Sequence, residues 1–309
     1  VASLSPHPPA SASGADRHSS TKDRILVFGS LNIRSLHNKL DDLLQVRRHR
    51  RIDVLFLVET WTDTDSVCLR RLRADGYQVI DRPRPRTRDD TLATNHGGVA
   101  AIARPGVRLS LVDIGVNPGT FELLCVRVTS GPSSCIAAIM YRPGSAAVTS
   151  AFFDDIADAL DRLATLVEPV YLVGDVNIRL ERPGDPSTVE FGDILSARGL
   201  SNRVMSATHD QGGALDIVVT RDDLPTPRVA VLDVGLSDHR LLQWSSPFAR
   251  PHPVYVTASS RPWSRVSATS FQAAISASSL CRPESWTGLD VDQLALLYDT
   301  ELTAIADRL

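Results

Sequence analysis

The sequence predicts an α/β fold of the α+β kind: a four-layer α-β-β-α sandwich in which two mixed β-sheets pack face to face, flanked by helices. Three observations carry this. Short, wholly apolar runs such as Val54-Leu55-Phe56-Leu57-Val58 fit strands buried on both faces. Amphipathic stretches at 36–51 and 152–167 fit helices with one face on a sheet. Helices fill only some of the crossovers, which suits two packed sheets better than one doubly wound sheet.

The elements follow in order. Residues 1–23 are rich in Ser, Ala and Pro without an apolar period and read as a disordered leader. Ile25-Leu26-Val27-Phe28 opens a strand that ends at Asn32. Leu36, Leu40, Leu43, Leu44 and Val46 have helical spacing. Residues 54–58 are a strand running straight into Glu59. A helix is expected at 63–73, a strand at 77–80 and a polar, basic loop at 82–95. Strands follow at 99–103, 107–114, 121–128 and 136–141, separated by turn residues. Phe152, Phe153, Ile156, Leu160, Leu163 and Leu166 share one helical face. A strand at 170–173 leads to Asp175. Residues 181–188 read as a turn-rich segment and 189–198 as a helix. Strands are expected at 215–220, 229–233 and 241–244, the last just after Ser237-Asp238-His239. Beyond Pro247 comes a linker at 251–263, then helices at 270–278 and 291–309. The first residue is Val1 and the last helix is still amphipathic where the chain stops, so the sequence reads as a fragment.

The bulk numbers suit a soluble globular protein. The 309 residues are 43% hydrophobic and 22% charged, and no apolar run approaches the roughly 20 residues of a membrane span. No secretory signal pattern opens the chain. The net charge of −3 does not advertise nucleic-acid binding, although a local basic patch can steer a polyanion. Only Lys22 and Lys39 among the 33 basic residues are lysines. That bias reads either as a GC-rich coding sequence or as a preference for arginine forks on phosphate. Cys68, Cys125, Cys135 and Cys281 form no C-x-x-C pair and no zinc spacing, and read as reduced apolar filler.

Several apolar strands end in a polar residue. Asn32, Glu59, and the Asp175/Asn177 pair lie at strand ends, Asp216 lies inside an apolar run, and Asp238-His239 precedes the last strand. Functional groups at strand ends on one edge are how such a scaffold builds a site from distant sequence. Singly, each has a plainer reading. Asp175 and Asn177 could shape a turn, and a lone His is more often structural. Asp216 is harder to dismiss, because a carboxylate within an apolar strand needs a buried partner.

The order of these pieces resembles the endonuclease/exonuclease/phosphatase superfamily, whose members include DNase I and apurinic endonucleases. The matching segments are Ser30-Leu31-Asn32-Ile33, Val58-Glu59-Thr60-Trp61, Met140-Tyr141-Arg142-Pro143-Gly144, Gly174-Asp175-Val176-Asn177, Leu215-Asp216-Ile217 and Ser237-Asp238-His239. Within that group the chain is most similar to the endonuclease domain of non-LTR (LINE-type) retrotransposons. Thr208-His209 ahead of Gly213-Ala214-Leu215-Asp216 fits, and Arg261-Pro262-Trp263 with the helices after it resembles the connector to a reverse transcriptase. The resemblance implies a DNase I-like domain at 24–248 and a linker with helical connector at 249–309. It implies a Mg²⁺-dependent DNA endonuclease, with Mn²⁺ as a substitute ion. Its partners would be a target duplex, in the nucleus, and a downstream reverse transcriptase.

The resemblance also implies the roles. Asn32, Glu59, Tyr141, Asp175, Asn177, Asp216, Asp238 and His239 form the catalytic set. Glu59 is the principal metal ligand, joined by Asn32 and Asp238. Asp175 is the base for the attacking water, Asn177 orients water or phosphate, and Tyr141 meets the phosphate. His239 donates to the phosphoryl oxygen and is oriented by Asp216. DNA contacts are expected from Arg34, Arg142, Thr208 and His209. One position departs from the apurinic pattern, where an acidic residue stands two after the first-strand Asn. Here that residue is Arg34, which reads either as a phosphate contact or as an outward-pointing surface group. Gly212-Gly213 reads as a hairpin tip entering a minor groove, or as an ordinary turn. The arginine runs at 47–51 and 82–88 read more readily as solvated faces. The alternatives are a phosphatase of the same superfamily acting on a phosphoinositide or other small phosphoester, and a decayed DNA-binding copy.

Overall fold

Two six-stranded sheets lie face to face in the computed structural model, which describes residues 25–85, 96–225, 227–247 and 266–308. Residues of the leader, the tip of the basic loop (86–95, with Arg86 and Arg88) and the linker with Arg261-Pro262-Trp263 lie outside the described residues. The first sheet has the order β11-β12-β1-β2-β4-β3, and the second β5-β6-β7-β8-β10-β9. The first contains β1 (Ile25–Asn32), β2 (Val54–Val58), β3 (Gln78–Arg82), β4 (Val99–Ala103), β11 (Ala230–Leu232) and β12 (Leu241–Pro247). The second contains β5 (Arg108–Leu111), β6 (Glu122–Ser130), β7 (Ser133–Tyr141), β8 (Val170–Asp175), β9 (Leu200–Asn202) and β10 (Asp216–Arg221). β1 runs parallel to β2, and β7 parallel to β8; the other neighbours are antiparallel.

Strand periodicity explains the apolar runs. In β2, Val54, Phe56 and Val58 enter the core between the sheets, whereas Leu55 and Leu57 face the helices α1 (Leu40–His49) and α2 (Val67–Ala74). In β7 and β8, Ile139 and Val173 face the inter-sheet core. Their neighbours Met140 and Leu172 face α3 (Ser150–Ala164) and α4 (Pro186–Ser196). Every residue of β2 is buried because each of its faces is covered. Stacked Phe28, Phe56 and Trp244 fill the middle of the sandwich. Cys68, Cys125 and Cys135 are buried among apolar neighbours.

The boundaries differ from the sequence reading where local chemistry intervenes. The helix expected from residue 36 starts at Leu40: residues 36–39 form a bend and turn, and Lys39 at the cap has a non-helical φ of −118°. α4 begins at Pro186 rather than 189. Asp185 caps it by accepting from Ser187 N at 2.9 Å, and proline suits a first helical position. β9 has three residues, too few to show a period.

Gly174 sets the closest strand approach. Its φ is 124°, and a Cβ there would lie 2.0 Å from the Met140 carbonyl oxygen of β7. This is the point where β8 delivers Asp175 beside Tyr141. Gly174→Ala is expected to lose about 2–6 kcal/mol, from backbone strain plus the clash with a main-chain atom that cannot swing away. Urea unfolding measures it; wild-type stability in the variant would contradict this account of the strand approach.

Residues 251–309 form a second unit. Its described part holds α5 (Ala268–Ala277), two short 3-10 turns and α6 (Val291–Arg308), with Ile305 of α6 fully buried and Ser279 bonded to Glu301. Among the described residues no helix is long and apolar enough to cross a membrane.

Candidate active site

Period-two alternation brings the polar strand ends together. Asn32 continues the inward parity of Leu26 and Phe28, Tyr141 that of Ile139, Asp175 that of Tyr171 and Val173, and Asp216 that of Val218. Tyr141, Asp175 and Asp216 stand side by side across β7, β8 and β10, since Asp175 is in register with both of the others. The four therefore meet at one end of the gap between the sheets.

Glu59 arrives by a different route. It follows the last residue of β2 with φ of 51°, and Trp61 has φ of 52°. Backbone bonds from Ser35 N to Glu59 O and from Trp61 N to Gly97 O hold this turn. Such strain needs surrounding structure to fix it, and it clusters at functional sites. Asn32 Nδ2 donates to Glu59 Oε1 at 2.8 Å and to Asp175 Oδ2 at 2.9 Å, bridging the two carboxylates. Trp61 Nε1 donates to Glu59 Oε2 at 3.1 Å, and the Trp61 ring stacks on His96 with centroids 4.4 Å apart.

Asp175 is fully buried. Its Oδ1 accepts from Asn177 N at 2.8 Å, and its Oδ2 accepts from Asn177 Nδ2 at 3.1 Å as well as from Asn32. Burial, then the nearby Asp216 charge, push its carboxyl well above the usual range, against the pull of His239 and these donors. Tyr141 is also pushed up, by burial and then by the Glu59 charge, so its phenol keeps its proton as a donor.

His239 links two carboxylates. Its Nδ1 lies 2.9 Å from Asp216 Oδ2, and its Nε2 lies 3.8 Å from Asp175 Oδ2. Burial disfavours the charged ring, but the Asp216 hydrogen bond and charge, with Asp175 and Asp238 behind them, lift it from 6.5 to about 9. A folded value above the unfolded one means the arrangement stabilises the fold in full below about 6.5. That contribution is lost as pH rises through about 9. In the metal-free protein the His239 ring is expected to titrate near 9 by NMR, and in Asp216→Asn much closer to 6.5. A midpoint unmoved by the substitution would contradict the pairing.

Asp238 is held by Arg34 and by His209, whose Nε2 lies 3.3 Å from Asp238 Oδ2. Burial works against its charge, yet the charges of Arg34 and His239 keep its carboxyl below the usual range. His209, Asp238 and His239 have the geometry of a metal-binding group, as do Asp175, Asp216 and His239. His209 Nδ1 accepts from Gln211 N at 3.1 Å, which leaves the proton of the neutral ring on Nε2, the atom 3.3 Å from Asp238 Oδ2. His239 keeps both ring protons while charged. The donors left are carboxylate oxygens: those of Glu59, and Asp238 Oδ1, which is buried without a hydrogen-bond partner among the described residues. An all-oxygen set fits a hard divalent cation such as Mg²⁺ or Mn²⁺.

The expected DNA contacts are placed unequally. Arg142 is buried: Nε donates to Val176 O at 2.7 Å, Nη1 to Ala146 O and Nη2 to Asn177 O, both at 2.6 Å. Thr208 is fully buried, and its hydroxyl accepts from Leu215 N at 3.0 Å and Asp216 N at 3.1 Å. Both brace the site from behind. Arg34 is half exposed beside Asp238. The hairpin closes through Gly212 N to His209 O, with Asp210, Gln211 and Gly212 exposed at its tip. Arg47 and Arg48 bond Tyr77 and Leu44 of their own surroundings, and Arg84 pairs with Glu122. Sequence reasoning gave Trp61 and His96 no role; the Glu59-Thr60-Trp61 triplet was the only signal for the first, and nothing marked the second.

A profile of the Endonuclease/Exonuclease/phosphatase family matches residues 29–239. No curated protein sequence matches the chain. Solved structures of similar fold include the human Nocturnin catalytic domain (18% identity, 72% of this chain and 92% of that one, TM-score 0.55). The endonuclease domain of TRAS1, a telomere-specific non-LTR retrotransposon, is 14% identical over 73% of this chain and 99% of its own, with TM-score 0.54. The AP endonuclease LMAP from Leishmania major is 16% identical over 72% and 88%, with TM-score 0.53. At these identities the likeness concerns the fold. The profile match spans most of the chain and contains every site residue from Asn32 to His239, and on that ground the chain belongs to the endonuclease/exonuclease/phosphatase family.

Proposed function

We propose that residues 24–248 are the DNA endonuclease of a non-LTR retrotransposon. It hydrolyses a phosphodiester of a target duplex with Mg²⁺, or Mn²⁺ in its place, and leaves a 3′-hydroxyl from which a reverse transcriptase of the same polyprotein primes. The observation that carries hydrolysis is the Asn32 bridge between Glu59 and Asp175, with the charged His239–Asp216 pair facing Asp175. The order of motifs and the helical tail support the retrotransposon assignment.

The residues divide the work. Glu59 is the principal ligand of the cation, with Asn32 and Asp238 beside it. Once bound, the cation neutralises phosphate charge and stabilises the departing 3′-oxygen. Asp175 takes the proton of the attacking water; burial makes it a stronger base than an exposed carboxylate. Asn32 and Asn177 fix that carboxylate and so aim it. His239 donates from Nε2 to the phosphoryl oxygen that gains charge, while Asp216 holds Nδ1. Tyr141 donates its phenol proton within the same pocket. Arg34 and His209 hold Asp238, and the exposed hairpin tip at 210–212 meets the duplex. Arg142 and Thr208 act as struts rather than as DNA contacts.

The test is conversion of supercoiled plasmid to nicked circles with Mg²⁺, followed by direct extension of the nicks by a DNA polymerase. Extension without prior end repair is expected. Turnover of soluble inositol phosphates with no plasmid nicking would replace this reading with the phosphatase one.

A further inference from the structure

We propose that the Trp61–His96 stack is a platform for an unpaired nucleobase of the DNA strand being cut; the proposal rests on the nuclease reading above. The two rings lie parallel within 7°, 4.4 Å apart. Phe28 and Phe56, stacked in the middle of the sandwich, are both buried. Here Trp61 is half-buried and His96 is exposed, so the stack stands at the surface with Trp61 covering one face of the imidazole.

The backbones on either side of the stack are bonded together and tied to the chemistry. Trp61 N donates to Gly97 O at 2.8 Å and Thr60 N to Gly98 O at 3.2 Å, so the backbones carrying the two rings are bonded to each other. Gly98 N in turn donates to Glu122 Oε2 at 2.7 Å. The indole edge is fixed by its bond to Glu59 Oε2. A platform ordered before binding avoids the entropy of ordering side chains around the ligand.

Position selects the ligand class. The stack is attached to Glu59, where the scissile phosphate must sit, so a planar group on His96 belongs to a nucleotide next to that phosphate. The adjoining groove, about 300 Å³, is lined by Arg82, Arg84, Asn117, Glu122 and Pro143. The Arg84 guanidinium, paired with Glu122, lies 5.5 Å over the Tyr141 ring, between groove and catalytic set. Aromatic faces with nearby arginine suit single-stranded nucleic acid, because every base offers a π-face. In a duplex the same base must leave its stack first, so the platform favours cuts where that base is mismatched, frayed or readily unstacked.

The experiment uses the full chain in EDTA, so that binding is read without hydrolysis. A single-stranded DNA oligonucleotide carrying 2-aminopurine is titrated, and stacking is read as fluorescence quenching. Wild type is expected to quench. His96→Ala is expected to bind about 5- to 150-fold more weakly with the quenching lost, and His96→Phe to restore both. No quenching by wild type, equal quenching and affinity in His96→Ala, or no recovery in His96→Phe overturns the platform. Plasmid nicking with Mg²⁺ is run in parallel. Nicking by wild type with no effect of His96 removes only the platform, whereas absence of hydrolysis on any DNA removes the nuclease reading itself.

Discussion

Asp175→Asn is expected to lower DNA hydrolysis by about 10²- to 10⁴-fold, the range for loss of a well-placed general base, while the protein melts within a few degrees of wild type. The two halves of this result have one cause. Asp175 is fully buried, and its folded pKa lies above the ordinary 3.8, so its ionised form costs stability above that pH. Asn cannot ionise and escapes that cost. Against this, its amide gives up at least one of the hydrogen bonds that Asn177 N, Asn177 Nδ2 and Asn32 Nδ2 now donate. The opposed changes leave the fold nearly neutral and the chemistry without a base. Single-turnover cleavage and thermal melts on the same preparation check it. A variant cleaving at more than a tenth of the wild-type rate would remove Asp175 from the base role.

Glu59→Gln is expected to cost about 10³-fold in rate, since a correctly held cation contributes several kcal/mol and each 1.4 kcal/mol is tenfold. The defect has a second signature. Gln has one oxygen where Glu59 accepts at two, from Asn32 at 2.8 Å and from Trp61 at 3.1 Å, so one donor must face an NH₂ group. Mn²⁺ binding followed by electron paramagnetic resonance should therefore weaken together with the rate, and high Mn²⁺ should recover part of the activity. Wild-type Mn²⁺ affinity in the variant would move the cation away from Glu59.

Much of the site was legible because strands obey a two-residue period. The strand-end positions of Asn32, Tyr141 and Asp175 were readable in the sequence, and the period of two then carries them, with Asp216, to the face that meets the other sheet; which face that is could not be read from runs that are apolar on both. The buried-partner argument for Asp216 leads to the same strand residue that bonds His239 at 2.9 Å. Glu59 was marked by the apolar run before it and by the Val58-Glu59-Thr60-Trp61 segment of the resemblance, but not by periodicity, because its left-handed backbone re-aims the side chain.

What was not legible depended on contacts between distant residues. Arg142 and Thr208 have side chains that default to the surface, and both are buried because loop carbonyls and amides at 146, 176, 177, 215 and 216 need partners. Arg34 meets Asp238 across 204 positions of sequence, so two equally open readings of Arg34 could not be separated beforehand. The proton position on His209 is set by one backbone amide, that of Gln211, in a turn whose shape no composition rule specifies.

The most direct test of water activation by this centre is hydrolysis of a defined DNA duplex with Mg²⁺ in ¹⁸O-labelled water, with both products weighed by mass spectrometry. Attack by a water that Asp175 deprotonates, with the 3′-oxygen departing, predicts one ¹⁸O in the new 5′-phosphate and an unlabelled 3′-hydroxyl. A labelled or phosphorylated 3′ end, or products formed equally well in EDTA, would contradict it.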